Sequence, residues 1–293
     1  MTSDRGSIFL EDAEILEHRG YEAHQYVLRV AAPRAAVTAR PGSFAHIRCH
    51  DSVPLRRPLS IMRANSEEGW LEFLYKPLGA GLAKLAGRKP GERLSLLAPI
   101  GRCFSLEPSR PRVLALGGGV GIPPMVFVAE QLRNDASFAP LILMGSEIPF
   151  PFATVAGRKR EGLPSGSAMA LLEDWNVPSR LASKAGLAGS FDGFVTELGR
   201  LWLEQCPGSA LAETQLLACG PPAMLSAVAA LAAEFRLPCE LAVEEFMACG
   251  VGGCAGCTLR VQTEQGPAMK RVCVDGPVFA ARDVYPDLNW GLR

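Results

Sequence analysis

The chain lacks any apolar run approaching the roughly 18 residues that a membrane-spanning helix needs. Its longest candidate, from Ala223 to Ala233, is short, contains Ser226 and reads as a buried helix. The start, Met1-Thr2-Ser3-Asp4-Arg5, leads into no apolar segment, so a secretory signal is not expected. Net charge is also missing: Lys plus Arg and Asp plus Glu number 30 each, which gives no overall field to gather nucleic acid. The one locally basic stretch, Gly157-Arg158-Lys159-Arg160, reads as a solvated loop. Histidine is scarce: His18, His24, His46 and His50 are the only 4, each read as a surface or satisfied core residue rather than an acid–base catalyst. No internal repeat is present. Together these absences predict a soluble cytoplasmic protein with neither a membrane nor a nucleic-acid partner.

What is present is enough for more than one core. At 293 residues the chain suggests two or three domains, since single cores stop growing at about 250–300 residues. From Ile8 to about Phe104, short apolar runs alternate with Pro and Gly. Tyr26–Val30, Phe44–Cys49, Leu71–Tyr75 and Leu94–Ala98 read as strands, and Pro41-Gly42 and Pro90-Gly91 as turns. One helix is expected from about Ala80 to Ala86. Short strands without long intervening helices predict an antiparallel β-barrel over residues 1–107. Past Pro108–Pro111 the pattern changes to strand–helix–strand. Val113–Leu116 runs into Gly117-Gly118-Gly119, then a helix from Pro124 to Arg133, then a strand Leu141–Met144. Leu216–Ala218 leads into another turn and an Ala-rich helix. This alternation predicts an α/β domain with a parallel sheet over 108–238. The segment from Gly145 to Gly193, rich in Pro, Gly and Ser, has no clear assignment. Phe150, Phe152 and Trp175 suggest that it packs or covers a site. Residues 239–293, starting with Leu241-Ala242-Val243, form a small glycine-rich C-terminal unit.

Five of the 9 cysteines are scattered (Cys49, Cys103, Cys206, Cys219 and Cys239) and read as small buried apolar residues. The other four form a group, Cys249, Cys254, Cys257 and Cys273, spaced C-x4-C-x2-C-x15-C. In a reducing cytosol this reads as metal ligation. The spacing is that of a plant-type 2Fe–2S cluster. A tight loop supplies three thiolates and a returning strand the fourth. Gly250, Gly252, Gly253 and Gly256 let backbone N–H groups approach the sulfurs. A structural zinc site or four unrelated thiols are the other readings, although zinc usually pairs two C-x2-C knuckles across a longer gap.

Four further stretches are candidate ligand sites. Arg56-Arg57-Pro58-Leu59-Ser60-Ile61 offers a guanidinium fork to a pyrophosphate. For Arg57 and Ser60 to meet one ligand, a bulge or bend is expected between them. Two solvated arginines are the bland alternative. Lys76-Pro77-Leu78-Gly79-Ala80-Gly81-Leu82 leads from a strand into a helix whose first amides suit phosphate, or is an ordinary turn. Gly117-Gly118-Gly119-Val120-Gly121-Ile122-Pro123-Pro124 has the strand-to-helix context of a nucleotide loop without being G-x-G-x-x-G. Cys219-Gly220-Pro221-Pro222 ends a strand of the same sheet, where ligands of such folds bind, or is a helix started by proline.

In combination these residues resemble the ferredoxin–NADP reductase superfamily, and more closely the electron-transfer subunits of dihydroorotate dehydrogenase B. That family has R-P-[LI]-S, here Arg57 to Ser60, then G-G-G-x-G-x-x-P, here Gly117 to Pro124. It continues with C-G-P, here Cys219-Gly220-Pro221, C-G-[VI]-G-x-C-x-x-C, here Cys249 to Cys257, and C-x-D-G-P-V-F, here Cys273 to Phe279. The resemblance spans nearly the whole chain in the family's order. It implies that Arg57, Pro58, Leu59, Ser60, Leu74, Tyr75, Lys76, Gly81 and Leu82 contact FAD. Gly117, Gly118, Gly119, Gly121, Cys219, Gly220 and Pro221 would serve NAD, with NADP not excluded. The four clustered cysteines would hold the 2Fe–2S cluster. It further implies a separate FMN-containing dihydroorotate dehydrogenase subunit as partner in a heterotetramer, and a role in pyrimidine biosynthesis. Related cluster-bearing reductase subunits serve hydrogenases and sulfite reductases. Two departures stand out. The family usually has Gly-Thr where this chain has Gly81-Leu82, which removes a hydroxyl and leaves a module without flavin as a further reading. The 145–193 segment is also longer than usual, leaving nucleotide preference and partner open.

Overall fold

The computed structural model describes residues 7–291; the N-terminal stretch Met1–Arg5 discussed above lies outside them. Six antiparallel strands close a barrel: β1 (Phe9–Tyr21), β2 (Gln25–Ala31), β3 (Phe44–Arg48), β4 (Arg57–Asn65), β5 (Trp70–Tyr75) and β6 (Arg93–Ile100), in the order β1-β2-β5-β4-β3-β6. Two short helices accompany them, α1 (Pro33–Thr38) and α2 (Gly79–Ala86). Closure leaves no sheet edge unpaired. Inward residues such as Ile15, Leu28, Ile47, Ile61, Phe73 and Leu96 fill the lumen. The barrel is therefore a packed core.

The second unit alternates strand and helix. It runs β7 (Arg112–Gly118), α3 (Ile122–Leu132), β8 (Ala139–Gly145), β9 (Thr154–Ala156), β10 (Ser167–Met169), α4 (Ala170–Asp174), β11 (Ser179–Ser183) and β12 (Phe191–Asp192). Then come α5 (Val195–Glu204), α6 (Gly208–Ala212), β13 (Thr214–Cys219), α7 (Pro222–Phe235) and β14 (Cys239–Ala242). The last segment contributes β15 (Thr258–Thr263), β16 (Gly266–Arg271), β17 (Val278–Ala280) and α8 (Ala281–Val284). A seven-stranded sheet has the order β12-β11-β8-β7-β13-β14-β17 and is parallel except for β17. The central strands β7 and β13 are almost wholly apolar, because helices cover both faces of a parallel sheet. α5 and α7 pack on one face and α3 on the other.

Both Cys239–Ala242 and Val278–Ala280, within the segment read as C-terminal, are hydrogen-bonded into this sheet. Cys257, Val261, Val272 and Cys273 share one apolar cluster with Leu216, Ala218 and Leu241. The cysteine-bearing segment is thus packed onto the sheet. The barrel is joined to the sheet through its outer wall, where Val27, Met62 and Leu74 meet Met125 and Val126 of α3. A carboxylate bridge completes the joint. Glu130 of α3 accepts from Arg63 Nε at 2.8 Å and from the Ala64 amide at 3.1 Å.

The unassigned segment holds β9 to β12 and α4. Its start is anchored to the barrel: Gln25 Nε2 donates to the Pro149 carbonyl at 2.6 Å, and Phe150 and Phe152 pack against the apolar cluster that Tyr21 also joins. Trp175 lies under the Arg63 and Arg133 guanidinium groups, 5.1 and 4.7 Å from its ring centre. The segment packs as expected from its aromatics. No helix among the described residues is long and apolar enough to cross a membrane.

Candidate functional site

The two arginines before Pro58 have opposite fates. Arg56 is tied into the barrel, donating to the carbonyls of Ser95 at 2.7 Å and His46 at 3.2 Å and to the Ser95 hydroxyl at 2.7 Å. Arg57 donates to the carbonyls of Leu55 and Arg56, each at 3.0 Å. Its guanidinium lies across the first turn of α2: a Cβ added to Gly81 would sit 2.8 Å from Nε and 3.1 Å from Cζ. The α2 N-terminus has no side-chain cap, so its first amides are free for a ligand. A guanidinium fork beside uncapped helix amides, with a glycine where a side chain would fill the space, fits the pyrophosphate of a dinucleotide such as FAD.

The bulge that Arg57 and Ser60 would need to meet one ligand does not fall between them. Arg57, Pro58, Leu59 and Ser60 pair with Ile47, His46, Ala45 and Phe44 in unbroken register. The irregularity falls one step later, between Ile61 and Arg63. Arg57 reaches Gly81 because it stands at the strand's first position and has a long side chain. Leu74 belongs to the interface between barrel and sheet. The Tyr75 side chain turns into the barrel and meets His18 Nε2 at 2.9 Å, leaving its backbone alone for any ligand outside. Lys76 is half-buried at the turn into α2. Leu82 packs against the barrel interior. The missing hydroxyl therefore reflects a side chain used for packing.

The glycine loop and the C-G-P turn meet at the carboxyl ends of β7 and β13. Gly121 presses on the Cys219 carbonyl, Gly118 on Met224 and Pro221, and Gly220 on Met224. A Cβ at Gly117 would sit 3.0 Å from Ile122 Cα. Gly118 and Gly121 are thus required by packing of one turn on the other, and Gly117 by packing against its own loop and the start of α3. Gly119 alone, at φ +55°, faces open space. Helix α3 starts at Ile122, two residues earlier than read from sequence, with Pro123 and Pro124 in its first turn. Each proline removes an amide that could have served a phosphate. Cys219 is buried, and burial, reinforced by the Glu244 carboxylate, pushes its thiol well up. Glu244 follows β14 and is itself raised by burial, although its side chain retains water contact.

The cysteine loop leaves β14 and turns at Gly250 and Gly252, with φ of +68° and +82°. Burial raises the Cys249 thiol, but amides of Val251, Cys254 and Gly253 and the Cys254 thiol outweigh it and bring it to about 7. Gly256 donates its amide to Cys254 Sγ at 3.4 Å. Cys273 is pushed up to about 12 by burial and by the adjoining Cys257 thiol. Its turn is tied to the loop, with Val272 N donating to Cys257 O at 2.7 Å and Arg271 Nη1 to Gly252 O at 3.1 Å. The Cys249 thiol thus adjoins that of Cys254, and the Cys273 thiol that of Cys257. Among the described residues no three ligating side chains converge as around a single metal ion. Two thiolate pairs joined by one loop fit two irons, and amides aimed at sulfur suit the charge of a cluster.

Sequence reading missed His46. Its sequence context suggests a surface or satisfied core residue, yet it is fully buried and neither ring nitrogen makes a well-formed hydrogen bond. Its place inside the apolar run Phe44–Ile47 was the available signal. His18 is satisfied, bonded to Tyr75 and the Arg88 carbonyl, and His50 pairs with Ser52.

Residues 244–285 match the family model for the iron–sulfur cluster binding domain of dihydroorotate dehydrogenase B. The chain is 30% identical over 275 residues to the electron transfer subunit of dihydroorotate dehydrogenase B (NAD(+)) of Desulforamulus reducens, covering 93% of this chain and 97% of that one. It is 31% identical to the same subunit of Geobacillus thermodenitrificans, covering 94% and 98%. Among solved structures it resembles an NADH-dependent reduced ferredoxin–NADP oxidoreductase, with TM-score 0.75 and 24% identity over 95% of this chain and 91% of that chain. Phthalate dioxygenase reductase follows the same fold at TM-score 0.56 and 14% identity, over 89% and 76% of the two chains. The chain belongs to the family of dihydroorotate dehydrogenase B electron-transfer subunits.

Proposed function

We propose that this chain carries electrons between a partner dehydrogenase and NAD, by way of a 2Fe–2S cluster and FAD, in the oxidation of dihydroorotate for pyrimidine biosynthesis. One observation carries the reading most of the way: the loop of Cys249 lies against β3, the strand hydrogen-bonded to the Arg57–Ser60 strand. A one-electron site and a flavin site so placed are neighbours. When bound, the flavin supplies the exchange between two-electron and one-electron chemistry, and the cluster the one-electron relay. The protein's own share is binding and orientation. Arg57 and the α2 amides hold pyrophosphate. The Gly119 turn and the Cys219-Gly220-Pro221 turn position the nicotinamide nucleotide, and Cys249, Cys254, Cys257 and Cys273 hold the irons.

Residues 1–107, 108–238 and 239–293 are the FAD, NAD and cluster units of this scheme, with β14 and β17 anchoring the third to the second. The partner is an FMN-containing dihydroorotate dehydrogenase subunit, in a heterotetramer located in the cytoplasm. Co-purification with that subunit tests the reading. The complex should reduce NAD with dihydroorotate, and the isolated chain should not. Reduction of NAD by the chain alone, or no reduction by a complex loaded with flavin and iron, would contradict it.

A further inference from the structure

His46 stands in the middle of β3, in register with Pro58 of the flavin strand. Both of its ring nitrogens are buried without a well-formed hydrogen bond, a state that a folded protein rarely leaves without a reason. Its surroundings account for it. The ring is the wall on which the cluster loop is laid: a Cβ at Gly250 would sit 2.6 Å from Nδ1 and 3.1 Å from Cγ. Gly250 also has φ +68°. Only glycine combines that backbone with that contact. The polar backbone groups beside the ring belong to Cys249, the first cluster cysteine, and Arg56, the residue preceding the flavin strand. The imidazole has a ring N–H to give.

We propose that His46 is a positioning residue for electron transfer, its ring joining the flavin strand to the first cysteine of the cluster loop. A ring N–H goes to the Cys249 backbone, which already lies beside it. This contact fixes the cluster's distance from the flavin and orients the amides that stabilise its charge. The inference rests on the 2Fe–2S reading above.

The test uses the full-length chain, purified anaerobically as wild type, His46→Leu and His46→Asn. Leucine removes the donor at similar volume, whereas the asparagine amide keeps a donor close to Nδ1. Iron and flavin content report folding. The readouts are the electron paramagnetic resonance spectrum of dithionite-reduced protein and the midpoint potential of the cluster against that of the flavin. His46→Leu is expected to keep its flavin, alter the g-values and shift the one-electron equilibrium between flavin and cluster about tenfold, equivalent to about 59 mV. His46→Asn should restore most of that shift. A leucine variant with wild-type g-values and potential overturns the inference, as does an asparagine variant no closer to wild type than leucine. Should the leucine protein lack flavin and iron, His46→Gln decides in its place, unchanged values again overturning the role. A wild-type chain with no cluster signal would instead sink the 2Fe–2S reading itself.

Discussion

Gly81→Ala separates folding from ligand binding at one position. Gly81 lies in the first turn of α2 with no left-handed backbone requirement, so alanine fits the helix. Replacing a helical glycine with alanine gains about 0.5–1 kcal/mol, and the apo chain should become slightly more stable. The new methyl would lie 2.8 Å from Arg57 Nε, closer than real contacts allow. The guanidinium is the movable partner, so it swings away from the α2 amides. A hydrogen bond to a charged group contributes about 1.5–3 kcal/mol. Losing the Arg57 contact should therefore weaken FAD binding by about tenfold to 150-fold, at about 1.4 kcal/mol per decade. Two assays read the two signs: urea denaturation of the flavin-free chain, and titration of that chain with FAD by quenching of flavin fluorescence. An unchanged FAD affinity with the expected rise in stability would refute the placement of the pyrophosphate between Arg57 and α2.

Glu130→Gln removes the charge facing Arg63, 2.8 Å away across the joint between barrel and sheet, and should cost about 1–3 kcal/mol in denaturant unfolding. A loss near zero would mean that apolar packing alone holds the joint. Glu244 has its carboxyl raised by burial, so the folded chain binds that proton more tightly than the unfolded one. Its contribution to stability is present at low pH and is lost as pH rises through the folded value. Glu244→Gln should therefore stabilise the chain more at neutral pH than at acid pH, and denaturation under both conditions checks the sign. Cys257→Ser breaks one of the two thiol pairs. It should abolish iron–sulfur absorbance while the flavin content stays near one per chain, as measured by iron assay and flavin extraction.

Local pattern carried most of the fold. The apolar runs Val113–Leu116 and Leu216–Ala218 announced buried parallel strands because nothing polar interrupts them. β1 was invisible because Glu11, Asp12, Glu14 and Glu17 break its apolar set; it reads as a strand only once Ala13 and Ile15 are seen pointing into the barrel. β14 and β17 look like parts of the cysteine segment along the chain, and only long-range pairing shows them in the sheet. The cysteine spacing was legible because ligand geometry is written locally. The division of labour between Arg56 and Arg57 was not. It depends on Ser95 and Gly81, residues 39 and 24 positions away. The loop glycines suggest space for a ligand, yet Gly118 and Gly121 answer to the neighbouring turn and Gly117 to its own loop and helix. His46 escaped because a histidine's partners, or the lack of them, are set by strands that meet only in the fold.

The central claim is that electrons pass between nicotinamide and the cluster only through the flavin. Anaerobic addition of NADH to the purified chain, followed by electron paramagnetic resonance, tests it most directly. The account predicts a reduced-cluster signal in the flavin-loaded chain and none after the flavin has been stripped. A signal of equal size without flavin, or no signal with flavin and iron both present, would contradict it.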